Sequence, residues 1–575
     1  MATIPIIVKH KGTKYDVDLD PAETGEILKL QLFSLTGVEP EKQKFLIKGG
    51  QLKDDTDLSS LNAKPKQVFT LMGSATAESA AMVAPVEKPK FLEDMSEAEL
   101  AKQEGATPAG LQNLGNTCYM NSTLQVLKSM PELQQELLAY KPSNTGQSLQ
   151  SLAQFGLGGM GGSSTDLVGG LRELYKQMSE TQEAFPPMMF LNALRTAYPQ
   201  FAQKSRTGQG YAQQDAEEAW SQILYQLREK LKQEGNTSSA ASLGVVEKYM
   251  EGSFETTLAP PAEAAEMEEV KNSTENFMKL NCHIDTSINH LAEGIKAGLT
   301  EEIEKKSEAL GHDAVYTKTS KVSRLPKYLT VQFVRFYWRK DTQKKAKILR
   351  KVTFQEELDV TEYCTDDLRK RLVPVRDKIR HLRKDEQDME RARKRQKIAH
   401  KQEEDRKHDE AMAQEAAPIA KLKEKQEKKD KKEEEKGGDL DVYKTDAEYE
   451  AEKEAAIKAA KKEVLEALDP ELAADDGANK SGLYELRGVI AHQGASADSG
   501  HYTSFVKKEG RLVDDPKAPR GKRREEDGKW WWFNDDKVSE VDSERIVGLS
   551  GGGEFASALI LLYRAIDLPS KEEIE

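Results

Sequence analysis

Hydrophobic and polar positions follow four different patterns along the chain. In residues 1–75, short apolar runs alternate with polar positions. IPIIV and TKYDVDLD flank a Gly-containing turn and predict a hairpin, and KFLIKGGQL and QVFTLM predict two further strands. Between them, Ile27, Leu28, Leu30, Leu32 and Leu35 give a partly helical apolar face, starting near Pro21 and stopping at Gly37. The order ββαββ makes this a compact α+β unit. Residues 76–107 are rich in Ala, Glu, Ser and Pro, the composition of a flexible linker with room for one short helix.

Residues 108–568 form a larger, third region. It opens with helical periodicity (STLQVLKSM, DLVGGLRELYKQM, DAEEAWSQILYQL) and continues in strand-like runs (FETTL, YLTVQFVRF, LYELRGVIAH, HYTSFV, WWWF, ALILLY). GLGGMGGSS at 156–164 reads as a loop. The fourth pattern interrupts the third. Residues 366–480 are dominated by Lys, Arg, Glu, Asp and Ala, with apolar positions too sparse for a core, and Glu–Lys pairs at helical spacing predict solvated helices or a helical hairpin. RARKRQK at 391–397 reads as a charged helix face in preference to a nuclear import signal.

At 575 residues the chain calls for at least two domains. Its 85 basic and 98 acidic residues leave a net charge of −13, which argues against broad nucleic-acid binding. Three cysteines, Cys118, Cys282 and Cys364, lie too far apart for a disulfide framework or a paired C-x-x-C zinc site, as expected of a reducing compartment. No apolar run reaches membrane-spanning length, and the amino terminus has no signal-peptide pattern. The expected location is cytoplasm and nucleus, with no membrane partner.

Cys118 is where chemistry enters. It follows the small-residue turn NLGNT and opens a helical run, with Asn116 or Thr117 available to cap it. A cysteine in a first helical turn lies near unpaired N–H groups, an environment that favours thiolate. A nucleophile needs a base, and the base needs an orienting group. Among nine histidines, His492 and His501 flank the small-residue loop QGASADSG, and spacing alone prefers His501 only modestly. Asn534, Asp535 and Asp536 end the aromatic strand WWWF and can hold an imidazole through Nδ1–H if the HYTSFV and WWWFND strands pair.

Two resemblances organise these observations. Residues 1–75 resemble ubiquitin-like domains throughout, but run on into LMGSATA with no free Gly-Gly end, as a built-in docking domain would. By that alignment Leu46 and Leu71 match the shallow apolar patch through which such domains bind. GLQNLGNTCYMNSTLQVL, QQDAEEAW, SRLPKYLTVQFVRF and YELRGVIAHQG…SGHYTSFVK…WWFNDDKV resemble, in order, the boxes of the ubiquitin-specific protease family of papain-like cysteine deubiquitinases. With the ubiquitin-like segment and LSGGGEFASALILLY, the resemblance reaches the family's proteasome-associated branch.

The resemblance implies a thumb, palm and fingers fold with Cys118 as nucleophile and His501 as base, then acid. Asn534 takes the third position, Asp535 is its helper, and Asn113 is the oxyanion donor. Gln214 and Asp215, in QQDAEE, match the contact to ubiquitin's basic tail. No cofactor or structural zinc is implied. The implied partners are ubiquitin, polyubiquitinated proteins and the 26S proteasome regulatory particle, docked through the ubiquitin-like domain. QGASADS and GLSGGGEF correspond to loops that cover the tail cleft, so an inhibited free form is expected. The alternative is a catalytically idle ubiquitin-binding regulator of the proteasome. A third reading, a charged-helix scaffold, would make 366–480 essential. The complete Cys118, His501 and Asn534 set favours the enzyme.

Overall fold

The computed structural model describes all residues except 1–3, 11–12, 37, 48–49, 62, 65–66, 74–94, 104, 142–165, 206–209, 233–242, 340–343, 416–445, 497–498, 515–521, 554 and 572–575. The loop expected at 156–164 and most of the expected linker therefore lie outside the described residues. The chain divides into two compact units, Met1–Met95 and Ser96–Glu575.

The first unit follows the predicted ββαββ order with one strand more, because KFLIKGGQL contributes two strands: β1 (Ile4–His10), β2 (Thr13–Leu19), α1 (Gly25–Thr36), β3 (Lys44–Ile47), β4 (Gly50–Gln51) and β5 (Val68–Met72). The sheet runs β2-β1-β5-β3-β4, with β1 and β5 parallel. Ile6, Val8, Leu28, Leu32, Phe45 and Phe69 form the core with Leu71. Leu71 is only 2% exposed, so it does not belong to a binding patch. Side chains alternate faces along a strand. On β5, Phe69 and Leu71 face inward, while Val68 and Met72 are each 54% exposed. Leu46 is 44% exposed, as expected. Pairing of Lys44 with Met72 and Leu46 with Thr70 brings Leu46 and Met72 onto one outer face. The apolar partner of Leu46 is thus Met72, one residue beyond the expected position.

The second unit opens with helices. They are α2 (Glu97–Ala101), α3 (Cys118–Lys128), α4 (Pro131–Ala139), α5 (Leu167–Met178), α6 (Met188–Ala197), α7 (Ala216–Lys230) and α8 (Val245–Tyr249). Strands β6 (Gly252–Ala259), β7 (Lys271–Phe277) and β8 (Leu280–Cys282) come next. They are followed by α9 (Leu291–Gly298), β9 (Thr300–Lys306), β10 (Asp313–Arg324), β11 (Tyr328–Phe333), β12 (Phe336–Arg339), β13 (Lys344–Lys347) and β14 (Glu357–Asp359). The charged segment forms α10 (Asp366–Glu415) and α11 (Asp446–Glu466), with α12 (Pro470–Ala474) behind them. The chain closes with β15 (Leu483–Ser496), β16 (Ser499–Lys507), β17 (Arg511–Asp514), β18 (Lys522–Glu525), β19 (Lys529–Asn534), β20 (Lys537–Asp542), α13 (Ser543–Val547) and β21 (Ser557–Ala565).

A four-stranded sheet, β7-β6-β10-β9, supplies the fingers, and a larger sheet, β20-β19-β16-β15-β21-β11-β8, supplies the palm. The last strand made, β21, sits inside the palm between β15 and β11. Helix α3 lies between the palm and the thumb helices, and every residue from Cys118 to Leu127 is buried. A helix buried on all sides needs close neighbours. Gly488 on β15 provides one such approach: a Cβ there would lie 2.6 Å from Val126 Cγ1.

The insertion is a helical hairpin. Lys378 pairs with Glu463, Lys461 with Glu386 and Arg393 with Glu454 across α10 and α11. Its base does carry a core, contrary to expectation. Val375, Ile379, Leu382, Ile457 and Val464 cluster on Leu483 of the palm, and Leu368 and Leu372 enter the core beneath the sheet. Apolar residues that are sparse overall are concentrated where the helices leave the domain. Shortening the hairpin by replacing 397–450 with a brief Gly/Ser loop should therefore change unfolding free energy by only on the order of 0.5 kcal/mol. Leu372→Ala, at a fully buried position, should cost about 2–5 kcal/mol. Denaturant unfolding of the purified variants checks both.

Candidate active site

The site forms where the start of α3 meets β16 and the β19–β20 turn. Gly110 is followed by a turn in which Gly115 and Asn116 both adopt positive φ, 95° and 56°. A side chain at Gly110 would collide with the Asp536 carbonyl oxygen, 2.6 Å from a Cβ. The turn is held from inside. Asn113 Oδ1 accepts from the N–H groups of Gly115 (3.0 Å) and Thr117 (3.2 Å). Thr117 is the N-cap residue of α3, but its hydroxyl makes no cap bond; it accepts from the Leu114 N–H instead. Neither expected capping side chain therefore caps the helix. The Asn116 amide reaches the Tyr211 carbonyl.

Cys118, 2% exposed, packs against β16, close enough to Tyr502 for that residue's backbone N–H to lower the thiol pKa. The next residue along the strand toward the loop is His501. Its Nε2 lies 2.6 Å from Asn534 Oδ1 and 3.8 Å from Asp535 Oδ2. A carbonyl oxygen accepts, so Nε2 carries a proton, and in the neutral ring Nδ1 is the nitrogen with the lone pair. The expected Nδ1–H contact is thus replaced by Nε2–H. The strand pairing behind it is as expected, with Ser504 opposite Phe533.

His492 is excluded as the base. It is fully buried, its Nε2 faces the Ser499 carbonyl at 3.2 Å, and Phe336 and Tyr502 wall its ring. Burial, with help from Lys347, pushes its pKa down to about 4.

Cys118 is not the thiolate that its helical position suggested. Burial pushes its pKa up to about 11; the Tyr502 backbone N–H opposes the rise, and the Asp535 carboxylate adds a smaller contribution to it. Desolvation of sulfur outweighs the end of one helix. Cys282 and Cys364, both buried, are pushed up to about 12.

Asp535 ties the site together. Its φ is +53°, its Oδ2 accepts from Asn113 Nδ2 (2.9 Å), its Oδ1 accepts from Asn121 Nδ2 (2.8 Å), and its carbonyl accepts from the Leu111 N–H (2.9 Å). One of Asn113's two amide protons is thereby committed, leaving the other at the exposed mouth of the site. Asn121 was not singled out by sequence reasoning. Its signal is position: one turn after Cys118, a carboxamide in an otherwise buried helix must have a purpose or a partner.

Asp215 caps α7, its carboxylate accepting from the Glu217 N–H at 3.0 Å. Burial raises its pKa, and Lys345 of β13 is the cation that opposes the rise. Gln214 lies beside it, its amide directed at the Ala212 carbonyl. The strand carrying Lys345 is fastened to β15. Ala346 pairs with Ser496, and Ser496 Oγ donates to the Lys345 carbonyl. Arg335, 1% exposed, binds the carbonyls of Arg350, Ser550 and Ala558, tying the β12–β13 hairpin to the GLSGGGEF segment.

Residues 109–563 match the family model described as ubiquitin carboxyl-terminal hydrolase, and residues 6–76 match the ubiquitin family. The chain belongs to the ubiquitin carboxyl-terminal hydrolase family. It is 40% identical to ubiquitin carboxyl-terminal hydrolase 6 of Schizosaccharomyces pombe, over 98% of this chain and 99% of that protein. It is 35% identical to hydrolase 7 of Arabidopsis thaliana over 96% of both chains, and 30% identical to hydrolase 14 of Caenorhabditis elegans over 98% of this chain and 94% of that one. The chain is a deubiquitinase of the ubiquitin-specific protease type, with an amino-terminal ubiquitin-like domain. A resting thiol with a pKa near 11 gains thiolate as pH rises. Iodoacetamide labelling of Cys118 in the free enzyme should accelerate about tenfold per pH unit from 7 to 9, without a plateau; peptide mass spectrometry reads the rate.

Proposed function

We propose that the chain hydrolyses the isopeptide bond after ubiquitin's terminal glycine through Cys118, His501 and Asn534, on proteins held at the proteasome. The observation that carries this reading is the meeting of Cys118 with the strand that bears His501, whose ring is fixed from behind by Asn534. His501 Nδ1 takes the Cys118 proton as Sγ bonds to the glycine carbonyl carbon, and the carbonyl electron pair moves onto oxygen. Collapse breaks the C–N bond, and His501 gives its proton to the departing lysine amine. Water, deprotonated by His501, then cleaves the thioester and restores the thiol. Asn534 orients the ring but carries no charge; Asp535 supplies the negative field for the imidazolium from 3.8 Å. Asn113 offers its remaining amide proton to the oxyanion. A ubiquitin probe with a carboxy-terminal electrophile tests the assignment. It should label the wild type, Cys282→Ser and Cys364→Ser but not Cys118→Ala, and labelling of Cys118→Ala overturns it. His501→Ala should lower kcat/KM by at least about 100-fold, and Asn534→Ala by less.

The free enzyme is restrained and the proteasome releases it. Support comes from Lys345, a cation beside the acid that ubiquitin's basic tail would meet. The exposed Leu46, Val68 and Met72 give the ubiquitin-like sheet an apolar docking face. Purified proteasomes should speed probe labelling of the wild type several-fold but leave Met72→Asp unchanged, while Lys345→Ala should label faster without proteasomes.

A further inference from the structure

Asn116 stands at a left-handed backbone position, φ +56°, in the turn that precedes Cys118. Asparagine is tolerated there, but glycine would be the unstrained choice. The side chain has a use that glycine could not supply. Its Nδ2 donates to the Tyr211 carbonyl at 2.9 Å, across 95 positions of chain. On either side of Asn116, the N–H groups of Gly115 and Thr117 both donate to Asn113 Oδ1. The conformation of Asn116 therefore decides whether both backbone donors hold Asn113 at once.

An exposed hydrogen bond is worth little when its ends can turn to water instead. Here the far end is fixed. Lys204 and Tyr211 form an antiparallel bridge, and the Ala212 N–H donates to the Gln203 carbonyl at 2.8 Å. The centre of the Tyr211 ring lies 3.6 Å from the Arg195 guanidinium carbon and 4.1 Å from Lys204 Nζ. Arg195 Nε also reaches the Phe201 carbonyl, and the Phe201 ring stacks on Tyr119, the residue after Cys118. The segment that starts at Tyr211 runs on through Gln214 to Asp215, the residues matched to ubiquitin's tail.

We propose that Asn116 is a positioning residue. Its bond to the Tyr211 carbonyl ties the segment that meets the tail to the turn that presents Asn113 to the oxyanion. The role rests on the chemistry proposed above for Cys118, with Asn113 as oxyanion donor. It acts on the transition state more than on bound ubiquitin, so its loss is read in kcat and not in KM.

The test is hydrolysis of a ubiquitin carboxy-terminal coumarin amide by the full chain. Asn116→Gly keeps the backbone conformation accessible and removes the donor. It should lower kcat about threefold to tenfold and change KM by less than about twofold. A residue kept only for its left-handed backbone would lose no kcat on this change. Combining it with Asn113→Ala should add almost no further loss, because the tether then has no donor to position. Tyr211→Ala should lower kcat in the same way, and Tyr211→Phe, which keeps the ring beside its cations, should recover most of that loss. A kcat loss below about threefold in Asn116→Gly, a change confined to KM, full additivity with Asn113→Ala, or equal loss in the two Tyr211 variants would each overturn the proposal. Those outcomes are read with Cys118→Ala unlabelled by the ubiquitin probe; labelling of that variant would overturn the nucleophile and this proposal together.

Discussion

Asp535 is the constraint on which the site depends. Its carboxylate receives one amide from Asn113 and another from Asn121, and its carbonyl receives the Leu111 N–H. Residues more than 400 positions apart are thereby locked into one geometry. The positive φ of Asp535 turns β19 into β20 just where Asn534 must face His501. The same carboxylate raises the pKa of Cys118 and stands within ionic reach of His501. One side chain therefore organises the turn before Cys118, sits in the turn that places Asn534 against His501 and contributes to the field at the sulfur.

That field keeps the Cys118 sulfur in its thiol form. A buried sulfur beside a carboxylate stays protonated, and a sulfur in this setting needs a neighbouring base before it can act as a nucleophile. The Lys345 strand is fastened through Ser496, and the buried Arg335 holds the start of its hairpin to the Ser550 and Ala558 carbonyls. The thiol state rests on desolvation, and the attachment of the strand on hydrogen bonds to backbone carbonyls.

Much of this was legible in the sequence. Helical and strand-like runs, the ubiquitin-like order and the insertion could be read from periodicity, and the boxes around Cys118 and His501 carried the family. The misses have physical causes. Leu71 and Met72 differ by one residue, and strand phase decides which is core. The thiolate expectation weighed a helix end without the desolvation that only packing reveals. Nδ1 and Nε2 cannot be told apart before the ring is placed. The Asn121–Asp535 contact spans 414 positions, so no local pattern announces it. The hairpin base hides its few apolar residues within a composition that averages to polar.

The placement of β21 bears on synthesis. Strand β11, buried on both faces, lies between β8 and β21, and β21 is made 224 residues after β11 ends, counting from Phe333 to Ser557. At a translation rate of roughly 5–20 residues per second, the nascent palm carries an unpaired apolar edge for about 10–45 s. Strand β21, late in chain order, thus belongs in the middle of the palm sheet, and the β11 edge stays open until it arrives.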